Sequence, residues 1–529
     1  MSTALTRRQF VGLSAGGALA ALTAATIGAP GGRAYARETA RRDYQAIVIG
    51  SGFGGSVAAL RLGQAGVDTL VLERGREWPI PNDTEQVIGN QAAPSNKMFW
   101  MRPDADYPGV PAVTFPPAPG VMEVSNESNL DIACGAAVGG GSIVYTGVTV
   151  APPRRHFERI YKDLSYDEFA QKWYPLVRRM LGASPMPQDI HASSPFTHSR
   201  VWETHLTRSG YAPAPLDSTF DWDVIRREMA GQVRASAIIG ESDFGNSNGA
   251  KKSLTRNYLP AALATGRVRL QPLTEVVSLG RAPGGGYAVN VRRLGEDGSV
   301  VAEETFTCRQ LFVCAGTLNT NRLLVAARDR GDLPQLPDEV GAGFGDNGDQ
   351  YNLYVYRDGS PVGTSQGSPC ASGVFVEDEF DVPMRAENWY LFGARNAPVC
   401  HSFTMTVDLD NRGRFTYDRA SGQVRLSNWT PDKAEPSRAA AAKLTEKILD
   451  SNPGLSPYPL SAPITMTAHP LGGVVLGEAT DLYGRVKGNP GLYVLDGSLL
   501  PGTVGGGNPS LSIAALAERC IAAIISAGR

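Results

Sequence analysis

Two polar side chains near the end of the chain stand in settings that suit chemistry. His469 lies in Ala468-His469-Pro470-Leu471-Gly472-Gly473, and Asn508 in Gly505-Gly506-Gly507-Asn508-Pro509-Ser510. An imidazole titrates near neutrality and both gives and takes a proton, so His469 suits general acid–base work. A solitary histidine is more often structural. Asn508, at the start of an alanine-rich segment, serves equally as a helix cap or as an amide that steadies charge on a bound group. A third constellation lies at the other end of the chain: Gly50-Ser51-Gly52-Phe53-Gly54-Gly55, followed by Glu73. Glycines at that spacing free backbone N–H groups for a pyrophosphate, and a carboxylate ~20 residues on suits ribose hydroxyls.

The elements that must position these groups are readable around them. Tyr44 to Ile49 is a short strand rich in β-branched residues, Ser56 to Ala65 is helical, and Gly66-Val67-Asp68 turns the chain into Thr69-Leu70-Val71-Leu72-Glu73. Strand, glycine turn, helix, strand and acid together make a dinucleotide-binding unit. In it Gly50 permits the tight turn, Gly52 lets backbone approach the ligand, and Gly55 lets helix and strand pack closely. Phe53 and Gly54 share that turn. The charge of Glu73 repels a 2′-phosphate and disfavours NADP, whereas FAD and NAD both fit. A second glycine loop runs through Gly139, Gly140, Gly141 and Ser142 to Tyr145 and Val148. It offers N–H groups to a flat or phosphorylated ligand, or is a plain flexible loop. The apolar run ending in Asp496-Gly497, and the Asn508-Pro509 turn opening a long helix, place polar groups at a strand end and a helix start, sites that can hold a ribityl chain and polarise a flavin carbonyl.

Composition bounds the rest. The chain has 529 residues, 42% hydrophobic and 19% charged, enough for a sizeable core and two to four domains. A net charge of −2 with no basic block argues against nucleic acid as a partner. Arg7-Arg8 before an Ala/Gly-rich stretch, with Ala34-Tyr35-Ala36 beyond, resembles a twin-arginine export signal over 1–36. That predicts a bacterial protein delivered by the Tat translocase to the cell envelope or medium. No later segment reads as a membrane span, so a soluble mature chain is expected. The six cysteines lack metal-site spacing and read as buried small residues, with one disulfide left open after export. No metal site is expected.

The chain resembles the glucose-methanol-choline (GMC) oxidoreductase superfamily and, within it, the bacterial cholesterol oxidases with non-covalent FAD. The likeness runs from about Tyr44 to Arg529. It rests on Val138–Ser142, Ser253–Leu259, Gly266–Leu270, Phe312–Leu318 before Leu323-Leu324, His469–Gly473 and Gly507–Pro509. The resemblance implies an α/β + β fold: a Rossmann-like FAD-binding domain (43–151, 252–348, 462–527) and a discontinuous substrate domain (152–251, 349–461) on a mostly antiparallel six-stranded sheet. Val268 to Arg281, Tyr287 to Arg293 and Glu303 to Leu311 are expected as a small antiparallel sheet, with Val276 contacting adenine. Phe403–Val407 and Arg414–Tyr417 are expected in the substrate sheet, and Tyr107–Gly120 as a lid or dimer-contact loop.

The resemblance also implies a reaction. An alcohol, most simply the 3β-hydroxyl of a sterol, is oxidised to a ketone, and O2 is reduced to H2O2. His469 handles the hydroxyl proton, and Asn508 contacts substrate and flavin. A carboxylate base, here Glu387 with Glu377 and Glu379 as runners-up, serves a Δ5-to-Δ4 isomerisation. His156, His191, His198 and His205 are expected as surface or packing residues. Transient contact with a membrane surface would give access to substrate. Tyr145, where the family usually has Asn, and Ser510, where sterol enzymes often have an aromatic residue, depart from the pattern. They weaken the assignment to cholesterol more than that to flavin. The alternative is a GMC-type dehydrogenase that passes electrons from another bulky alcohol to a carrier.

Overall fold

The computed structural model describes residues 42–105, 110, 112–127, 130–459 and 464–528. The expected export signal lies outside them, as does part of the Tyr107–Gly120 loop.

Among the described residues, seven strands form the sheet that carries the glycine turn. β1 (Asp43–Ile49) feeds α1 (Phe53–Gln64), and β2 (Thr69–Leu72) pairs in parallel with β1, Val48 opposite Val71. β3 (Val268–Gln271) pairs in parallel with β2. β4 (Thr274–Arg281), β5 (Tyr287–Leu294) and the 14-residue β6 (Val300–Val313) form an antiparallel meander. β6 belongs to both parts: its first half pairs with β5 and its second half runs parallel to β1, Ile47 opposite Leu311. The expected small separate sheet is therefore corrected. Val268–Gln271 is a parallel strand of the main sheet, and the meander is continuous with that sheet through β6. Residues 46–49 and 69–72 are all buried, as expected of parallel strands covered on both faces. β6 then turns at Gly316 (φ +79°) into α2 (Gly316–Arg330), repeating the strand–turn–helix plan of β1 and α1.

A six-stranded, wholly antiparallel sheet forms the other half. Its centre is β7 (Asp349–Tyr356), β8 (Ser372–Val376), β9 (Met384–Trp389) and β10 (Val399–Thr406), with Leu455–Pro457 and Ala214–Pro215 at the edges. One face packs on the helices Thr197–Arg208 and Glu435–Ser451 through Trp202, Leu206, Tyr354, Cys400, Leu444 and Ile448. Arg414–Tyr417 is not in this sheet. It pairs with Gln423–Ser427 and Ala342–Gly345, and the latter pairs with Leu471, two residues after His469. Phe415, fully buried against Phe344, explains why: the strand supports the imidazole segment from below.

β11 (Leu492–Val494) pairs in parallel with β6, and α3 (Pro509–Ala527) follows. α3 is apolar and long enough to cross a membrane, contrary to the reading that no later segment is, yet two-thirds of it is buried inside the protein. Arg61 of α1 pairs with Glu518 at 2.6 Å, and the Tyr258 hydroxyl donates to the same carboxylate at 2.9 Å. α3 is thus a core helix clamped to α1.

Candidate active site

A cavity of about 3450 Å³ opens at the carboxyl ends of β1, β2, β6 and β11, where open α/β sheets bind ligands. It is several times the ~300–1,000 Å³ of a usual single-ligand pocket. Gly50, Gly52, Phe53, Gly54, Glu73, Gly140, Gly141, Tyr145, Val148, Val276, Asp496, Gly497, Asn508 and Pro509 all line it, as does His469. Gly50 has φ +93°, and a Cβ there would lie 2.3 Å from the Cys314 carbonyl oxygen; one on Gly54 would lie 1.7 Å from that of Leu495. The two glycine loops touch: a Cβ on Gly140 would come 2.7 Å from the Gly52 Cα. Gly52 is the N-cap of α1 with no side-chain cap, so the first N–H groups of that helix face the cavity unclaimed.

Several predicted residues also build the cradle. Glu73 accepts from Ser51 N and Oγ at 2.9 and 2.7 Å and from Gly75 N at 2.9 Å, and Ser51 Oγ accepts from Gly139 N at 2.9 Å. The carboxylate therefore ties both glycine loops together. Burial pushes its pKa up, opposed by those hydrogen bonds. Asp496 accepts from Gly316 N and Thr320 Oγ1 at the start of α2 and from Ser498 N. Ser142 and Gly55 do not line the cavity. Ser142 Oγ donates to Gly139 O and accepts from Leu254 N, pinning the loop from behind. Gly55 packs against the Gly50 carbonyl. The Tyr145 hydroxyl bonds Thr219, and its ring meets Phe53 edge-on.

At the other end the structure brings His469, Asn508 and Glu387 together. His469 Nδ1 lies 2.8 Å from Asp349 Oδ1. An ionised carboxylate only accepts, so Nδ1 carries the hydrogen and Nε2 is left for the cavity. Asp349, fully buried, is itself fixed by the Thr467 hydroxyl at 3.0 Å and Ala468 N at 3.1 Å. Burial lowers the pKa of His469, but the charges of Asp349 and Glu387 outweigh it and raise it above the usual value. Asn508 is the N-cap of α3, yet its side chain makes no capping bond. Nδ2 donates instead to Glu387 Oε2 at 3.4 Å, and Oδ1 is buried with no partner among the described residues. Glu387 is 0% exposed, and burial pushes its pKa up to about 7, against the pull of Arg385, Asn508 and His469. It stands behind Asn508 and does not line the cavity, which differs from the expected base open to substrate.

The chain matches the family models described as GMC oxidoreductase over residues 30–327 and 411–517. It belongs to the GMC oxidoreductases. It is 27% identical to cholesterol oxidase of Mycobacterium tuberculosis, covering 90% of each chain. It is 25% identical to cholesterol oxidase of Acinetobacter baumannii, covering 91% of this chain and 94% of that one. Solved structures share the fold: a pyridoxine 4-oxidase from Mesorbium loti at TM-score 0.62, 16% identity and 91% and 99% coverage, and a fungal aryl-alcohol oxidase at 0.64, 14% and 92% and 100%. This GMC oxidoreductase is thus an FAD-dependent enzyme acting on CH–OH donors. The residues present fit FAD: uncapped N–H groups of α1, contacting glycine loops that no Cβ would allow, and an orphaned Asn508 carbonyl oxygen at the far end. Bound there, FAD supplies the hydride acceptor.

The remaining expectations sort by position. Glu377 pairs with Arg155, and Glu379 with Lys447, at the surface and away from the cavity. His191 bonds Glu203 and His205 bonds Tyr356; His156 and His198 are buried in packing. The six cysteines are all free. Asp349, Arg385, Asn347 and His401 carry no motif, and local sequence does not mark them as site residues. Asn347 and Arg385 hold the loop before Asn508, through Gly507 O at 3.0 Å, Val504 N at 3.0 Å and Gly506 O at 2.8 Å. No sequence signal points to Asp349, whose strand continues on the same face with Tyr351, Leu353 and Val355.

Proposed function

We propose that the enzyme is an exported oxidase of a 3β-hydroxysterol or similarly bulky secondary alcohol, with non-covalent FAD, yielding the ketone and H2O2. The observation that carries this reading is that His469, braced by Asp349, and Asn508, whose side chain makes no capping bond, line the same large cavity. His469 Nε2 takes the hydroxyl proton, and the Asn508 amide holds the substrate oxygen. The cavity wall beyond them is mostly apolar, with Tyr351, Leu353, Val355, Trp389 and Val399 surrounding His401 on one sheet face. That wall and the likeness to cholesterol oxidases support a sterol. We assign any Δ5-to-Δ4 isomerisation to Glu387, whose carboxyl is held protonatable near neutrality behind Asn508 and, once Asn508 moves aside, takes the C4 proton and returns it to C6. Export rests on the Arg7-Arg8 segment, and a sterol substrate makes contact with a membrane surface part of the cycle.

The test is peroxide formation with cholesterol under air. Stoichiometric H2O2 and ketone are expected. Turnover only with an added electron carrier would make the enzyme a dehydrogenase.

A further inference from the structure

Residues 236–251 form a buried, heavily cross-linked stretch that the reaction described above leaves unused. Glu228 accepts from the backbone N–H groups of Ser236, Ala237 and Ile238 and from Asn248 Nδ2. Glu241 pairs with Arg234 at 2.7 Å and accepts from the Ser236 and Ser247 hydroxyls. The stretch ends in Lys251, which is 2% exposed. Its Nζ donates to the carbonyl oxygens of Ile143 at 2.7 Å, Tyr145 at 2.6 Å and Ser242 at 2.8 Å. Three acceptors need three donors, and only the ammonium form has three. Burial pulls the pKa of Lys251 down to about 7, against the pull of Asp243 and Glu241. Glu241 is matched by Arg234, which leaves Asp243 as the counter-charge of Lys251. Asp243 lines the cavity and accepts from the Tyr390 hydroxyl at 2.9 Å.

The carbonyls that Lys251 holds belong to the second glycine loop, whose Tyr145 and Val148 line the cavity. Ser510, at the start of α3, donates to Val148 O at 3.2 Å. The loop therefore borders the Asn508 turn, the end of the site that suits the flavin ring. Lys251 stands one backbone segment behind that end, and Asp243 is part of its wall. We propose that Lys251 and Asp243 are a charge pair that sets the reduction potential of the bound flavin, Lys251 raising it and Asp243 lowering it. Hydride transfer from the alcohol carbon brings two electrons and one proton to the cofactor, a net charge of −1, while the hydroxyl proton goes to His469. A buried cation favours that added charge and a buried anion opposes it, with little screening by solvent. The inference rests on FAD binding and holds whichever alcohol is oxidised.

The experiment is anaerobic equilibration of the FAD-loaded enzyme with a redox dye of known potential, in the wild type, Lys251→Met and Asp243→Asn. In Lys251→Met the reduction equilibrium should move at least tenfold toward oxidised flavin, a two-electron potential about 30 mV lower. In Asp243→Asn it should move at least fivefold the other way, about 20 mV higher. Opposite signs are the signature of charge, which mere loosening of the loop would not produce. Smaller shifts in either variant, or shifts of the same sign, overturn the inference. Should Lys251→Met fail to hold FAD, the direction and size of the Asp243→Asn shift decide the matter alone.

Discussion

At the nucleotide end of the cavity this enzyme offers backbone; at the other end it offers side chains. The cradle consists of two glycine loops in contact, an uncapped helix N-terminus, and carboxylates turned inward to hold turns together, as Glu73 holds Ser51, Gly75 and, through Ser51, Gly139. The reacting end is His469 and Asn508 held from behind by Asp349 and Glu387, which come from strands far away in sequence. The first end depends on the space that absent Cβ atoms leave. The second depends on which proton sits where. The two should therefore fail differently when altered, the cradle by steric clash and loss of cofactor, the reacting end by loss of rate with cofactor retained.

The largest effect is expected from Gly54→Ala. Its Cβ would overlap the Leu495 carbonyl, and backbone on both sides leaves no room to give. Destabilisation of ~4–5 kcal/mol or more is expected, read as loss of yellow, folded protein on purification. Next is His469→Gln, which should keep its full flavin content by visible absorbance while alcohol turnover falls ~10²–10⁴-fold. If flavin is lost with activity, the two ends are not separable as described.

Asp349→Asn sharpens the comparison further, with turnover falling ~10²-fold and flavin retained. Asp349 helps raise the pKa of His469. Its removal lowers that pKa, so the neutral base persists to lower pH and the ascending limb of kcat/KM moves acidward. The smallest effect on oxidation is expected from Glu387→Gln, less than ~10-fold. Glu387 titrates near 7, ionised above and protonated below. The wild-type rate of Δ5-ketone isomerisation should therefore fall as pH drops through about 7, and Glu387→Gln should abolish isomerisation. An unchanged profile and intact isomerisation would remove Glu387 from the account.

The same contrast explains what could be read from the chain. The cradle is local: Gly50 to Gly55 and Glu73 lie within one strand–turn–helix–strand unit, so spacing alone exposes them. Asp349 reaches His469 across 120 positions, and nothing in Asp349-Gln-Tyr-Asn announces it. His401 lacks any motif, and only the register opposite Leu353 and Trp389 puts it in the cavity wall. Short strands carry a face but no address. Arg414–Tyr417 and Val268–Gln271 join sheets other than those their local pattern suggests, and β6 runs longer than its pattern does. The buried helix α3 shows the converse: its apolar run is core contact with α1, which hydropathy does not distinguish from a span.

The most direct test of the central claim, that one cavity joins a dinucleotide cradle to the His469–Asn508 pair, is the visible spectrum of the purified protein titrated with sterol in the absence of oxygen. A yellow protein whose flavin band bleaches on adding sterol and returns with air, with one H2O2 per turnover, is the predicted result. A colourless protein that takes up no added FAD would contradict the claim.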